Sequence, residues 1–133
     1  MSVQLKTSSL DLGIVTDNGE AMLLFYERTL GFPCFEEMPL ANIGVLKKLA
    51  VGDSIIKIML VDQAPAIQAC RDGMQGAVGY RYCAVHVTNL DQIVANCKNA
   101  GHKITIDIRQ QRPGCRIAVV EDPDGNSIEF IED

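Results

Sequence analysis

The sequence predicts an α+β fold that contains two copies of one strand–helix–three-strand module. Two observations support this fold class: the pattern of a strand, a helix and further strands occurs twice within 133 residues, and a stretch rich in Pro and Gly separates the two copies. An internal repeat of this size is typical of a duplicated supersecondary unit. We expect one domain over residues 1–133, with a first module at about 7–62, a linker at 63–79 and a second module at about 80–133.

The composition excludes several classes of protein. A hydrophobic fraction of 47% predicts a folded chain. The net charge of −5 argues against nucleic acid as a partner, because phosphate groups need a basic surface. The sequence has neither an apolar stretch of the roughly 18 residues that span a membrane nor a hydrophobic signal core. Five cysteines without a C-x-x-C pair indicate free thiols. We therefore expect a cytoplasmic protein without membrane partners.

The first half shows the elements of the module in order. In "LDLGIVT" apolar residues alternate along the chain, and Asp11 falls on the opposite face from Leu12, which indicates a strand. The stretch "EAMLLFYERTLG" has helical spacing and ends at Gly31. Its apolar stripe consists of Met22, Phe25, Tyr26 and Leu30. Residues 34–61 predict two or three strands, in the last of which Lys57 and Met59 share one face.

The second half repeats these elements. In "YRYCAVHV" the side chains of Tyr82 and His86 share a face, opposite a more apolar one. The following "TNLD" predicts a capping box that starts a helix at Thr88. The apolar stripe of that helix consists of Leu90, Ile93, Val94 and Cys97. Three strands follow, and the sequence "DPDG" at 122–125 predicts a type I turn before the last one.

Superposing the two patterns places polar residues at equivalent positions on the first and last strands. Asp11 corresponds to Tyr82, and Lys57 corresponds to Glu129. Because Ile128 and Phe130 should face the helix, Glu129 should face the other side of the sheet. Four large polar groups on that side are hard to reconcile with a packed core, so we interpret it as the wall of a cavity.

The sequence resembles the vicinal-oxygen-chelate superfamily, which includes glyoxalase I, bleomycin-resistance proteins and extradiol dioxygenases. The resemblance covers roughly residues 8–132, and its most specific part is "DPDGNSIEFIE", which is close to the closing motif of the family. The stretches "FYERTLGF" and "LDQIVANCKNAG" resemble the two helices of the family. The resemblance implies βαβββ modules whose mixed sheets curl around a cleft. It also implies a homodimer in which each cleft takes one module from each chain.

In metal-dependent members of this family, four residues on the first and last strands of the modules bind a divalent ion. Carried over to this sequence, those positions are Asp11, Lys57, Tyr82 and Glu129. Glu129 is a usual ligand type, and Asp11 suits a hard cation, so these two alone fit a metal. Lys57 offers no lone pair when protonated and repels a cation. We therefore expect no cofactor, with a divalent metal as the alternative, and we expect Glu129 to pair with Lys57 of the partner module.

Three further side chains are candidate ligand contacts. His86 shares the face of Tyr82 and could act as a base, although a histidine at a strand end is more often structural. Met59 shares the face of Lys57, where it can line a pocket or fill a gap in the core. Arg116 belongs to an arginine-rich hairpin that can grip an anion or simply face solvent.

These observations leave three functional hypotheses. The first is a metal-free protein that binds a small molecule, of the bleomycin-resistance type, for which the acidic charge favours a cationic ligand. The second is a metal-free isomerase or lyase that uses the same four residues as acid and base. The third is a metal-dependent glyoxalase, epimerase or dioxygenase with unusual ligands. We place binding slightly ahead of metal-free catalysis. Superfamily membership does not fix the chemistry.

Overall fold

The structure is a computed structural model that describes residues 2–133. It contains eight strands and two helical segments within that range. The first module runs β1 (Asp11–Thr16), α1 (Gly19–Leu23) with a π-helical continuation (Leu24–Thr29), β2 (Cys34–Leu40), β3 (Gly44–Val51) and β4 (Ser54–Val61). The second runs β5 (Tyr82–His86), α2 (Leu90–Asn99), β6 (Ile104–Arg112), β7 (Cys115–Glu121) and β8 (Ser127–Glu132). The α+β fold of two modules is therefore confirmed.

Each module forms its own mixed four-stranded sheet. Sheet 1 has the order β1-β4-β3-β2 and sheet 2 the order β5-β8-β7-β6, with the first pair parallel and the others antiparallel. The connection between a first strand and its parallel partner includes the helix and two strands, as a parallel pair requires a long crossover. The order of strands is the same in both modules, as the repeat in the sequence predicts.

The first helix differs from a regular α-helix. The amide of Leu30 donates to the carbonyl oxygen of Phe25 at 2.9 Å, five residues back, so the last turns are wider than in an α-helix. Phe25 and Tyr26 are nevertheless buried, as the apolar stripe predicts. The second helix begins after Asn89 rather than at Thr88, and the Asn89 side chain makes no capping bond; the Leu90 amide donates instead to Glu132 Oε2 of β8 at 3.3 Å. The predicted capping box is therefore wrong, although the helix itself is confirmed.

One hydrophobic core joins the two modules. It contains buried residues from both helices and from the inner faces of both sheets. Met22 and Phe25 represent the first module, and Leu90, Ile128 and Phe130 represent the second. The predicted alternation in the last strand is confirmed, because Ile128 and Phe130 are 1% exposed whereas Glu129 between them is half-buried. The face of each sheet that points away from this core is called its open face below.

Neither helical segment in residues 2–133 has the length and apolar character that a membrane span requires.

Candidate functional site

Four charged side chains form a row across the open face of sheet 1. The strand register places Lys48 directly opposite Lys57, and Glu36 opposite Lys48. Asp11 on β1 completes the row, which we call the charged row (Asp11, Lys57, Lys48, Glu36). Like charges opposite each other destabilise a sheet. Here each ammonium has its own carboxylate: Lys57 Nζ lies 2.9 Å from Asp11 Oδ2, and Lys48 Nζ lies 2.7 Å from Glu36 Oε2.

The expected ion pair between Lys57 and Glu129 is not found within the chain. Lys57 pairs with Asp11 instead, and Glu129 makes no ion pair with any residue in the range 2–133. The physical reason is connectivity: β1 and β4 are neighbours in one sheet, whereas β8 belongs to the other sheet. The structure thus joins two of the four family positions, Asp11 and Lys57, in a half-exposed ion pair.

The other two positions lie on the open face of sheet 2. Glu129 on β8 has Ala84 and Val119 as cross-strand partners, and Val119 is fully buried. Tyr82 is 56% exposed. His86 follows on the same face of β5, where its Nδ1 lies 3.4 Å from Asp133 Oδ1. The predicted shared face of Glu129, Tyr82 and His86 is therefore present in the structure.

The remaining two candidates have different environments. Met59 is half-buried on the open face of sheet 1, opposite Leu46 on β3, next to the charged row. Arg116 points to the helix side of sheet 2, where its guanidinium donates to Asp91 of α2 at 2.8 Å and to Glu132 at 2.8 Å. These contacts lower the pKa of Asp91 and raise that of Arg116. Arg116 thus has carboxylate partners within its own chain, and its contact with a ligand stays a prediction.

A polar cluster that the sequence did not reveal joins the two modules. The phenol of Tyr26 donates to Asp122 Oδ2 at 2.7 Å, and Thr16 Oγ1 donates to Asp124 Oδ2 at 2.6 Å. The other oxygen of Asp122 accepts the backbone amides of Asp124 and Asn126. The expected type I turn is confirmed by the bond from the Gly125 amide to the Asp122 carbonyl oxygen at 2.9 Å. The closing motif of the second module therefore binds the first strand and helix of the first.

Burial governs the acid–base behaviour of this cluster. Asp122 is 4% exposed and Tyr26 is 1% exposed. Burial raises the pKa of Asp122, while the hydrogen bonds from Tyr26 and Asn126 act in the opposite direction. Burial, and then the nearby Asp122 carboxylate, raise the pKa of Tyr26. Tyr26 therefore stays a neutral donor at any physiological pH.

The donor set on the open faces does not fit a divalent metal. Within residues 2–133 no group of three or more His, Cys, Asp or Glu side chains could hold an ion. Of the four family positions, Asp11 is already neutralised by Lys57 at 2.9 Å. An ammonium at one ligand position repels a cation and supplies no lone pair. These side chains therefore do not form a ligand set for a divalent ion.

Comparison with known proteins defines the class. Residues 9–130 match the model of the Glyoxalase/Bleomycin resistance protein/Dioxygenase superfamily. The chain belongs to this superfamily, and the resemblance inferred from its motifs is confirmed. A search of curated proteins found no match.

Solved structures agree with this fold. A glyoxalase family protein from Bacillus cereus superposes with a TM-score of 0.81 at 18% identity, over 99% of this chain and 98% of that one. TnmS3, an antibiotic binding protein from a Streptomyces species, gives 0.69 at 21% identity over 97% and 98%. Glyoxalase I from Leishmania major gives 0.71 at 18% identity over 92% and 84%. These likenesses show the fold, which carries both binding proteins and an enzyme.

The sequence interpretation missed the second lysine of the charged row. Lys48 lies in the run "VLKKLA", where two adjacent lysines place one ammonium on each face of β3. Assigning the parity of β3 as well as that of β4 would have placed Lys48 beside Lys57. Its neighbour Lys47 lies on the opposite face and pairs with Glu37 at 3.4 Å.

Proposed function

We propose that this protein binds a small molecule without metal, in a cleft formed by the open face of sheet 1 of one chain and the open face of sheet 2 of a second chain. The observation that carries the proposal is the ion pair of Lys57 with Asp11 at family metal-ligand positions. A position that needs a lone pair holds an ammonium, and the neighbouring carboxylate is used to neutralise it.

The apolar residues on the open faces support a ligand or partner there. Val15 is 53% exposed, Met38 is 37% exposed and Tyr82 is 56% exposed, all on the faces that point away from the core. Exposed apolar groups on strands favour burial against a ligand or another chain. A homodimer would bring the exposed face of sheet 1 against that of sheet 2, and each cleft would then contain residues from both chains.

The charged row and its apolar neighbours suggest an amphipathic ligand. The apolar part would pack on Met59 and Tyr82, because thioethers and aromatic rings adapt to flat or irregular ligands. Polar groups of the ligand would bond to the carboxylates and ammonium groups of the row. TnmS3 is described as an antibiotic binding protein, and a comparable sequestering role fits this chain.

A reducing compartment, the cytoplasm, suits the five cysteines, all of which are free thiols.

A metal-free enzyme is the second candidate, and one observation favours it. Glu129 is half-buried beside the fully buried Val119 and has no ion-pair partner within residues 2–133. A carboxylate in such a place can take a proton from a bound substrate. The two candidates differ in whether the bound compound is recovered unchanged.

The test combines assembly, metal content and binding. Light scattering should give a dimer mass, and protein purified without chelator should contain no stoichiometric zinc, nickel, manganese or iron. A thermal-shift screen with aromatic alcohols should yield compounds whose binding is lost in Lys57→Met and Met59→Ala. The matched control Lys47→Met, which removes a lysine from the opposite face, should bind normally.

Three results would argue against the proposal. A monomer at micromolar concentration would remove the shared cleft, and an equimolar metal would remove the metal-free site. Binding that is equally affected by Lys47→Met and Lys57→Met would place the ligand elsewhere. Mass spectrometry of the compound after incubation decides between binding and turnover.

A further inference from the structure

A second cavity lies within one chain, at the seam between the two modules. It has a volume of about 250 Å³ and is bounded by β1, the start of β5, the turn before β8 and part of the linker. We call it the seam cavity. Neither Lys57, Met59, His86 nor Glu129 lines it. It is therefore distinct from the proposed cleft between chains, although Val15 and Tyr82 border both.

The linker borders one side of the seam cavity and is hydrogen-bonded to both modules. Gln68 Nε2 donates to Asp17 Oδ2 of the first module at 3.1 Å. Arg71 Nη2 donates to the carbonyl oxygen of Pro123 in the second module at 3.2 Å. The linker is thus hydrogen-bonded to both modules, and small-molecule sites are usually largely pre-formed.

A buried hydroxyl without a partner lines the seam cavity. Ser127 is only 4% exposed, and its side chain takes part in none of the hydrogen bonds found within residues 2–133. The hydroxyl oxygen is not completely enclosed by protein atoms. Its oxygen therefore reaches the cavity. Because most buried polar groups in proteins have a hydrogen-bond partner, we expect a ligand to donate a hydrogen bond to this oxygen.

The charges around the cavity favour a cation. Asp17 and Asp124 both line it, and neither lies within ion-pair distance of a Lys, Arg or His in the part of the chain that the structure describes. Their hydrogen-bond donors are neutral groups of Gln68 and Thr16, with Asn18 at a longer distance. One guanidinium, that of Arg81, also lines the cavity; its Nη2 donates to the linker carbonyl of Gly73 at 2.6 Å, while its buried Nε has no partner within residues 2–133. Two carboxylates against one guanidinium leave an excess of negative charge.

All three tyrosines of the chain border the same cavity. Tyr26 is buried at its inner wall, and the exposed Tyr80 and Tyr82 stand at its rim. Aromatic faces attract ammonium groups, and more strongly where the cation is desolvated. The net charge of −5 of the whole chain also favours the approach of a cation.

From this arrangement we infer that the seam cavity binds a small organic cation, a protonated amine on an aromatic or apolar body. The amine donates to the Ser127 hydroxyl and to the carboxylates of Asp17 and Asp124, while the body packs against Leu12, Ile14 and the tyrosine rings. The size is suitable, because a cavity of about 150 Å³ accommodates benzene and this one is larger. The inference goes beyond the proposed function, since it concerns one chain and not the cleft between chains.

The probe that tests the inference is benzylammonium, with neutral benzyl alcohol and anionic benzoate as controls of the same size. A ¹H–¹⁵N NMR titration of the full chain should shift the amides of Gly13, Tyr82 and Ser127 and leave that of Lys57 unchanged. We expect benzylammonium to bind at least about tenfold more tightly than benzyl alcohol, the difference that one favourable charge contact can supply.

Substitutions of residues that line the seam cavity identify the side chains that bind the amine. Asp17→Asn keeps an acceptor for Gln68 but removes the charge, and should weaken benzylammonium binding without affecting benzyl alcohol. Ser127→Ala should weaken both amine and alcohol. The control Asp53→Asn removes the same charge from the turn between β3 and β4, outside the cavity, and should leave binding unchanged. Thermal unfolding of each variant checks that it folds.

Four outcomes would overturn the inference. Equal affinity for the amine and the alcohol would show that charge plays no part. Tighter binding of benzoate would mean that Arg81 governs the site. Shifts confined to the neighbourhood of Lys57 and Glu129 would place the amine in the cleft between chains. Absence of shifts with all three compounds at about 20 mM, well above the millimolar range of weak ligands, would exclude a site.

Discussion

Removal of one hydroxyl group should measure how strongly the two modules are held together. Tyr26→Phe deletes the phenol that donates to Asp122 Oδ2 at 2.7 Å across the junction between modules. The ring itself remains and keeps its packing against Phe25, with ring centres 4.8 Å apart. The substitution therefore isolates the hydrogen bond from the hydrophobic contribution of the side chain.

The expected loss of stability is substantial for a single atom. A hydrogen bond to a charged group contributes about 1.5–3 kcal/mol, and a buried acceptor that loses its donor is left partly unsatisfied. Asp122 Oδ2 keeps one donor, the side-chain amide of Asn126 at 2.9 Å, which limits the loss. We therefore expect a fall in the free energy of unfolding of about 1.5–2 kcal/mol at neutral pH.

The loss should also depend on pH. The hydrogen bond from Tyr26 lowers the pKa of Asp122 against the raising effect of burial, so the variant should have a still higher Asp122 pKa in the folded state. At pH values below the folded pKa, Asp122 is protonated in both proteins and the charge-assisted bond no longer separates them. The difference in stability between wild type and variant should thus be largest at neutral pH and shrink on acidification.

Urea unfolding at several pH values provides the measurement. Tyr80→Phe is the matched control, because Tyr80 is fully exposed and no hydrogen bond of its phenol occurs within residues 2–133; it should change stability by less than about 0.5 kcal/mol. A loss for Tyr26→Phe as small as that of the control would refute the reasoning. So would a loss that is independent of pH, since it would mean that the charge on Asp122 does not strengthen the bond.

Three further predictions follow from other parts of the structure. Lys57→Met should cost only about 0–1 kcal/mol of stability, because its ion pair with Asp11 is partly exposed; a loss of several kcal/mol in urea unfolding would indicate a second, buried partner. Gly44→Ala should lower the stability of the protein far more than Gly52→Ala, because a Cβ at Gly44 would overlap the carbonyl oxygen of Leu60. A Cβ at Gly52 has open space, and the only cost there is the backbone strain at its positive φ of 59°, about 1–3 kcal/mol. Similar losses for both variants in thermal unfolding would contradict this. Cys97 should resist iodoacetamide in the folded protein at pH 8, because burial raises the Cys97 pKa to about 11. The half-buried Cys70 should react under the same conditions. If mass spectrometry finds Cys97 labelled before Cys70, the Cys97 thiol is accessible and the prediction is wrong.

The fold was predictable because local patterns determine it. Period-two alternation located β1, β4, β5 and β8, and helical spacing located both helices, since each pattern reflects which face is buried. The start of α2 was misplaced at Thr88, although the helix begins after Asn89. Neither residue makes a capping bond to the first turn; tertiary contacts fix the start of the helix instead, through the buried Leu90 and Val94 and the bond from the Leu90 amide to Glu132.

For the candidate site, the sequence predicted which face of its strand each side chain lies on, but not which side chains contact each other. Alternation assigned Lys57, Glu129 and Tyr82 to the correct side of their strands, because parity is a local property. Which charges pair is decided by which strands are neighbours. Asp11 and Lys57 meet because β1 lies beside β4, and the partner of Arg116 is an α2 carboxylate. Contacts of this kind depend on the topology of the sheet and the helix, which a single sequence does not state.

The difference between the two modules explains what the closing motif does. In the first module β3 and β4 join at the pair Val51 and Ser54, which leaves the short turn Gly52-Asp53. In the second, β7 and β8 join at Glu121 and Ser127, which leaves the longer turn 122–126. The extra length lets Asp122 and Asp124 reach Tyr26 and Thr16 of the first module.

The most specific motif of the superfamily is therefore, in this chain, the element that docks one module on the other. A motif with that task identifies the fold and leaves the chemistry open, because superfamily membership does not fix the reaction. In the proposed function the chemistry depends instead on the four positions of the open faces, where this chain has Asp11, Lys57, Tyr82 and Glu129. Since Lys57 and Asp11 neutralise each other, the uncommitted carboxylate is that of Glu129. Glu129→Gln is consequently the substitution that separates the two candidate functions: it should leave the affinity for a neutral ligand unchanged in a binding protein, whereas in a metal-free enzyme turnover should fall by about 10²–10⁴-fold.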